Sequence, residues 1–120
     1  GGMAPMVEGR LSPGLDRIGG RTEEAREATP EFLASTGVAW AMKERFLADT
    51  ATFSSAMGLR AALEFFGAGR LLFASDMPFS CGGGPASLRE SLAAVEALEL
   101  SEADREAVLW GNAERLFGWG

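Results

Sequence analysis

The clearest hydrophobic pattern in the chain lies between Ser54 and Gly67, where Leu59, Ala62, Leu63 and Phe66 recur at i, i+3, i+4 and i+7. That is the period of an amphipathic helix with one buried face. Gly67 follows as its stop, because glycine takes the left-handed backbone that ends many helices. Flanking this helix are two short apolar runs, residues 45–50 and 70–75, which fit buried strands ending at Asp49-Thr50 and Ser75-Asp76. Strand, helix and strand in succession form a βαβ unit, and such a crossover places its two strands in parallel.

The pattern elsewhere is helical or loop-like. Residues 1–20 are rich in Gly and Pro with scattered apolar positions, which predicts loop with at most one helical turn. Residues 23–28 are charged and favour helix. Thr29-Pro30-Glu31 then offers an N-cap followed by proline at the first helical position, predicting a helix to about Met42. Phe32, Leu33, Val38 and Trp40 form no clean stripe along it. After Asp76, residues 80–84 predict a flexible loop, and Pro85 opens a helix with Leu88, Leu92, Val95 and Leu98 on one face. Ser101-Glu102-Ala103-Asp104 has the form of a capping box with Asp in place of Glu, starting a helix that carries Val108 and Leu109. A break at Gly111 or Asn112 precedes a final helical turn to Phe117. Phe65, Phe66 and Trp110 are expected to be core or helix-packing groups. With no repeat, low-complexity tract or visible boundary, residues 1–120 are expected to belong to one domain.

Composition narrows the function classes. The chain has 120 residues, 47% of them hydrophobic and 23% charged, enough apolar content for one compact domain. A net charge of -6 and the lack of any Lys/Arg run argue against a nucleic-acid partner. Cys81 is the single cysteine, so no internal disulfide or cysteine-based zinc site can form, which points to a reduced, cytoplasmic setting. No apolar run approaches the roughly 18 residues of a membrane span, so no membrane partner is expected. The start at Gly-Gly rather than Met suggests a fragment.

Asp76 is the principal chemical candidate. In parallel α/β folds the C-terminal ends of the strands open onto the site, and Asp76 follows such a strand directly. The alternative is an aspartate that caps the turn after the strand. Cys81 beside Gly82-Gly83-Gly84 has no histidine partner, and the glycines lack nucleotide-binding spacing, so these residues fit a mobile loop.

Four blocks carry a family resemblance: residues 1–11 (GGMAPMVEGRL), 46–51 (FLADTA), 74–79 (ASDMPF) and 111–118 (GNAERLFG). In this order and spacing they resemble the C-terminal part of the amidohydrolase-related family of metal-dependent hydrolases and decarboxylases. The resemblance implies an α/β fold, the C-terminal part of a TIM (β/α)8 barrel with two parallel strands plus several helices, and a much larger complete barrel. It implies that Asp76 binds a divalent metal, zinc by expectation, or takes a proton from metal-bound water. The family completes that site from a His-X-His pair and further histidines upstream, one of them just before the Gly-Gly segment. This chain has no histidine, so the isolated chain is expected to hold no metal and to be inactive.

The resemblance further implies that Arg10, and more weakly Arg17, grip a substrate carboxylate, for which a guanidinium fork is suited. Each could equally be structural, Arg10 tying down its own loop and Arg17 a solvated charge. Asp49 and Asn112 are expected to be structural near the site, holding backbone groups at element ends. Two functions follow: part of a metal-dependent hydrolase or non-oxidative decarboxylase for a small carboxylated or cyclic substrate, or a non-catalytic scaffold or interaction module that has lost the metal. Unpaired strand edges also favour self-association into a homo-oligomer.

Overall fold

The computed structural model describes residues 1–16, 38–79 and 83–119. The chain divides into two compact units, Met6–Phe46 and Gly1–Pro5 with Leu47–Gly120.

Helix α1 (Ala4–Asp16) corrects the loop expected over residues 1–20. Pro5 sits in its first turn, where a backbone N–H has no intrahelical partner to lose, so proline there starts a helix rather than breaking one. Helix α2 (Val38–Arg45) carries Lys43 and Arg45 in its last turn, where cations face the negative end of the helix dipole. It covers the end of the helix expected to reach Met42, whose residues 29–37 lie outside the described residues. Within the unit Met6–Phe46, Lys43 Nζ lies 3.0 Å from Glu8 Oε1. The Arg45 guanidinium stands over the Trp40 ring at 5.5 Å.

The unit that contains the sheet is built on two strands, β1 (Ala48–Asp49) and β2 (Leu71–Leu72), parallel and in register Ala48↔Leu71, Asp49↔Leu72. Between them runs helix α3 (Ala56–Phe66), as its hydrophobic period predicts. Ser55 caps it by accepting the Gly58 N–H. Gly67 ends it at φ 76°, where a β-carbon would be strained. Leu59, Ala62, Phe65 and Phe66 are buried, and the two phenylalanine rings meet edge to face at 4.7 Å.

Both strands are shorter than the expected 45–50 and 70–75. At the front, α2 takes Arg45 and a 3₁₀ turn (Ala68–Arg70) takes Arg70. At the back, the hydrogen bonds leave the ladder: Phe73 N–H donates to the Val108 carbonyl and Ala74 N–H to the Thr50 hydroxyl.

Helix α4 (Gly83–Glu96) starts before Pro85 and buries Ser87, Ser91, Ala94 and Val95. Of the predicted face Val95 is buried as expected, but Leu88 and Leu92 are 44% and 37% exposed, so the face is rotated at its start. Small side chains allow close approach to α3, and the Ser87 hydroxyl finds a backbone carbonyl as its partner.

Helix α5 (Glu102–Glu106) begins with the Ser101 hydroxyl accepting the Asp104 N–H, the capping geometry its sequence predicts. The expected break at Gly111 or Asn112 is instead a π-helical turn (Ala107–Gly111) that runs on into helix α6 (Asn112–Phe117). Asn112 N–H bonds the Ala107 carbonyl five residues back, and the Val108 carbonyl accepts from Phe73. The wide turn thus knits the last helices to β2. Gly118 closes α6 at φ 67°. Trp110, expected as a core or helix-packing group, is 45% exposed and so lies outside the core, while Val108 takes the buried position of the π-turn.

Candidate functional site

The parallel register puts Asp49, the last residue of β1, and Asp76, four residues past the end of β2, beyond the same C-terminal end of the sheet. Thr50 ties the two strand ends together. Its N–H donates to the Leu72 carbonyl at 3.0 Å. Its hydroxyl accepts the Ala74 N–H at 2.9 Å and donates to the Ala74 carbonyl at 3.2 Å. Thr50 is 1% exposed, so one buried side chain satisfies both polar groups of Ala74, as a neighbouring strand would.

One residue further on, the buried Ser87 hydroxyl of α4 donates to the Ser75 carbonyl. The two residues immediately before Asp76 are therefore fastened from two different elements. Asp76 itself takes the left-handed backbone at φ 56°, which aspartate tolerates better than most residues. Its carbonyl accepts the Phe79 N–H at 3.0 Å, closing a turn that contains the cis Met77-Pro78 peptide. The carboxylate stands exposed above this braced stem.

Asp49 is spent more locally. Its Oδ1 accepts the Ala51 N–H at 2.9 Å, and the Gly1 nitrogen lies 3.4 Å from the same oxygen. Gly1 fits there only without a side chain, since a β-carbon would come within 2.8 Å of Ala48 Cβ. The Gly-Gly segment, Asp49 and the Asp76 stem are thus assembled around one end of the sheet.

Asn112 lies at the opposite end. Only 2% exposed, it donates from Nδ2 to the Ala68 and Leu71 carbonyls at 2.8 and 2.7 Å. Its Oδ1 accepts from Arg115, which also donates to the Gly69 carbonyl, both at 2.8 Å. An open groove beside this network is walled by Leu47, Phe66, Arg70, Asn112, Arg115 and Leu116. It faces the N-terminal end of the strands and is separate from Asp76.

Arg10 is exposed on α1 in the unit Met6–Phe46. Arg17 and Cys81 lie outside the described residues. Trp119 stacks on Phe117, ring centroids 4.7 Å apart and planes at 22°. Ser87 is the site residue with no signal in the sequence, being one small position on a helix whose leucines mark a different face. Thr50 had a signal: a β-branched hydroxyl directly after a strand, next to its partner's polar end.

Among the described residues no group of three or more His, Cys, Asp or Glu is placed to hold a metal ion, and the sequence contains no histidine. A zinc site takes about four such donors. These residues therefore do not fit a complete metal centre. Asp76 is the one carboxylate held over the strand ends by buried hydroxyls, and it could supply at most one ligand.

Comparison with known proteins gives this geometry a context. The sequence pattern of the family described as Amidohydrolase matches residues 14–119. The gamma-resorcylate decarboxylase of Polaromonas sp. (strain JS666) is 33% identical over 92 residues, which cover 76% of this chain and 26% of that protein. Among solved structures, Metarhizium anisopliae IDCase in apo form aligns with a TM-score of 0.73 at 25% identity, over 96% of this chain and 31% of its own. The dihydroxybenzoic acid decarboxylase of Polaromonas sp. JS666, solved with manganese and the inhibitor 2-nitroresorcinol, aligns at 0.63 and 27%, over 96% and 30%. The Rhizobium 2,6-dihydroxybenzoate decarboxylase, at 0.63 and 24%, over 96% and 31%, shares the fold. These are amidohydrolase-type (β/α)8 barrels, and the two parallel strands with their helices correspond to part of one. The chain spans 26% of the curated relative and about a third of the solved ones.

Proposed function

We propose that this chain, which belongs to the Amidohydrolase family, forms part of a single barrel domain of a metal-dependent hydrolase or non-oxidative decarboxylase, with Asp76 as its reacting carboxylate. Decarboxylation is the favoured chemistry, because the similar proteins are decarboxylases of ring-bearing carboxylic acids by name. The substrate class is then a small carboxylated ring. In such a reaction the bond from ring carbon to carboxylate breaks, its electron pair stays on the ring carbon, and a proton takes the place of the departing CO₂. A carboxylate fixed at the strand ends is suited to accept or return that proton. Arg10 and Arg17 are the candidates for gripping the substrate carboxylate. Asp49 and Asn112 hold backbone.

The observation that carries the proposal is the stem of Asp76, held by two buried hydroxyls while the carboxylate stays exposed. A divalent metal, zinc or the manganese seen in one similar protein, requires ligands that the described residues do not supply, so the 120-residue chain alone is inactive on this proposal. The proposed setting is cytoplasmic, with a homo-oligomer as the working form. Among the described residues no helix is long and apolar enough to cross a membrane.

Asp76→Asn tests the assignment in the protein at its full length. Asparagine keeps the size, tolerates the left-handed backbone and loses the charge. Turnover is expected to fall about 10²- to 10⁴-fold, the usual worth of a positioned proton-transfer group. Measuring bound metal alongside separates the roles: normal metal assigns proton transfer, and lost metal assigns ligation. Normal turnover with normal metal returns Asp76 to a turn-capping role.

A further inference from the structure

Asp76 is exposed and sits in a turn, two conditions that ordinarily leave a carboxylate loosely placed. Its stem is built otherwise. Ala74 spends both backbone polar groups on the Thr50 hydroxyl, at 2.9 and 3.2 Å, and Thr50 is 1% exposed. The Ser75 carbonyl is taken by Ser87, which is 6% exposed. These bonds span 24 and 12 residues of sequence, so they join Asp76 to β1 and to α4 rather than to its own loop. Side-chain hydroxyls in place of a ladder are costly to bury unless their geometry is satisfied. Here both hydroxyls, both Ala74 backbone groups and the Ser75 carbonyl are paired.

From this we infer that Thr50 and Ser87 are positioning residues for Asp76, holding its left-handed backbone so that the carboxylate stands at a fixed height over the strand ends. The inference rests on the assignment of Asp76 as the reacting carboxylate. Thr50 acts through Ala74 from one side and Ser87 through Ser75 from the other, and neither touches the substrate. The two anchors restrain consecutive peptide units, which fixes the direction of the chain as it enters the Asp76 turn. A reacting group displaced by about 1 Å loses about 10²-fold in rate without losing its chemistry.

Thr50→Val keeps the shape and removes the hydroxyl, Thr50→Ser keeps the hydroxyl, and Ser87→Ala removes the second anchor. Ser91→Ala, in an equally buried serine one turn along α4, is the control. In this chain, amide hydrogen exchange is read at Ala74, which donates to Thr50, and at Phe79, which closes the Asp76 turn. Thr50→Val is expected to speed exchange at Ala74 by about tenfold or more, the loss of one net hydrogen bond. Exchange at Phe79 should rise with it in both Thr50→Val and Ser87→Ala. Thr50→Ser and Ser91→Ala are expected to behave as the parent.

In the protein at its full length, Thr50→Val should lower kcat by about tenfold or more with KM within about twofold, and Thr50→Ser should restore it. A purely structural hydroxyl would lower the amount of folded protein and leave the kcat of what remains unchanged. Unchanged exchange at Ala74 and Phe79, or unchanged kcat in Thr50→Val while Asp76→Asn is inactive, overturns this inference alone. Full activity in Asp76→Asn overturns the assignment on which it rests, whatever the exchange data show.

Discussion

The two ends of the small parallel sheet are held by opposite strategies. At the N-terminal end one buried amide, Asn112, takes two carbonyls and is itself bound by Arg115, which adds the Gly69 carbonyl. Both Asn112 polar atoms in that network are paired within the chain. At the C-terminal end the buried hydroxyls of Thr50 and Ser87 take backbone groups of Ala74 and Ser75, and the carboxylates of Asp49 and Asp76 are left outward. In barrels of this class the N-terminal face serves stability and the C-terminal face carries chemistry. The two ends of this sheet differ in the same sense: a polar group that must be buried is satisfied at one end, and at the other the stem beneath an exposed carboxylate is satisfied.

The largest test of that contrast removes its stabilising half. Asn112→Ala leaves the Ala68 and Leu71 carbonyls without their donor, and unsatisfied buried acceptors cost about 1–3 kcal/mol each. A total loss of about 3 kcal/mol is expected in a denaturant melt of this chain. Local exchange protection at Ala74 and Phe79 should survive relative to the global stability. Loosening of both ends together would show that they are one cooperative unit, and the comparison would break. A smaller loss is expected for Arg115→Ala. Arg115 is exposed, and its bonds to Gly69 and Asn112 can be replaced in part by water, so about 1 kcal/mol is expected in the same melt. A loss equal to that of Asn112→Ala would place the weight of the N-terminal end on the guanidinium instead.

The sequence shows the frame of this contrast more clearly than its fastenings. The period of Leu59, Ala62 and Phe66 marks α3, Ser101 marks the start of α5, and the apolar runs before Asp49 and Asp76 mark two parallel strands. These are local signals, written in neighbouring residues. Helix α1 is hidden because Gly and Pro weigh as loop residues: Pro5 falls in the first turn, where it is tolerated, but Gly9, Pro13 and Gly14 lie within the helix. The π-turn is hidden because Gly111-Asn112 looks like a stop. Its actual course depends on the Phe73 N–H, far away in sequence, meeting the Val108 carbonyl. The buried face of α4 follows the same rule: the leucines give the stronger hydrophobic signal, but the serines are buried, and Ser87 bonds a backbone carbonyl from outside the helix. The position of Asp76 beyond the strand end is legible in the sequence, whereas the contact of Ser87 with the Ser75 carbonyl depends on tertiary packing alone.

The smallest expected effect separates the two carboxylates that share the C-terminal end. Asp49 Oδ1 accepts the Ala51 N–H at 2.9 Å, a role that needs an oxygen and no charge. Asp49→Asn retains that oxygen, so stability should stay within about 0.5 kcal/mol of the parent. In the protein at its full length kcat/KM should stay within about threefold, under 1 kcal/mol of transition-state free energy. Asp49→Ala removes the acceptor and is expected to cost about 1 kcal/mol in the melt, again with kcat retained. The same Asp-to-Asn change at Asp76 is expected to cost at least about a hundredfold in rate, although both residues lie at or just past the C-terminal ends of paired strands and both are exposed. The difference between them lies in what their oxygens already do: one is occupied with its own turn, and the other is presented on a stem braced from two sides. A large loss of kcat in Asp49→Asn with the fold intact would make Asp49 a participant in the chemistry, and the C-terminal end would then carry a pair of reacting carboxylates rather than one.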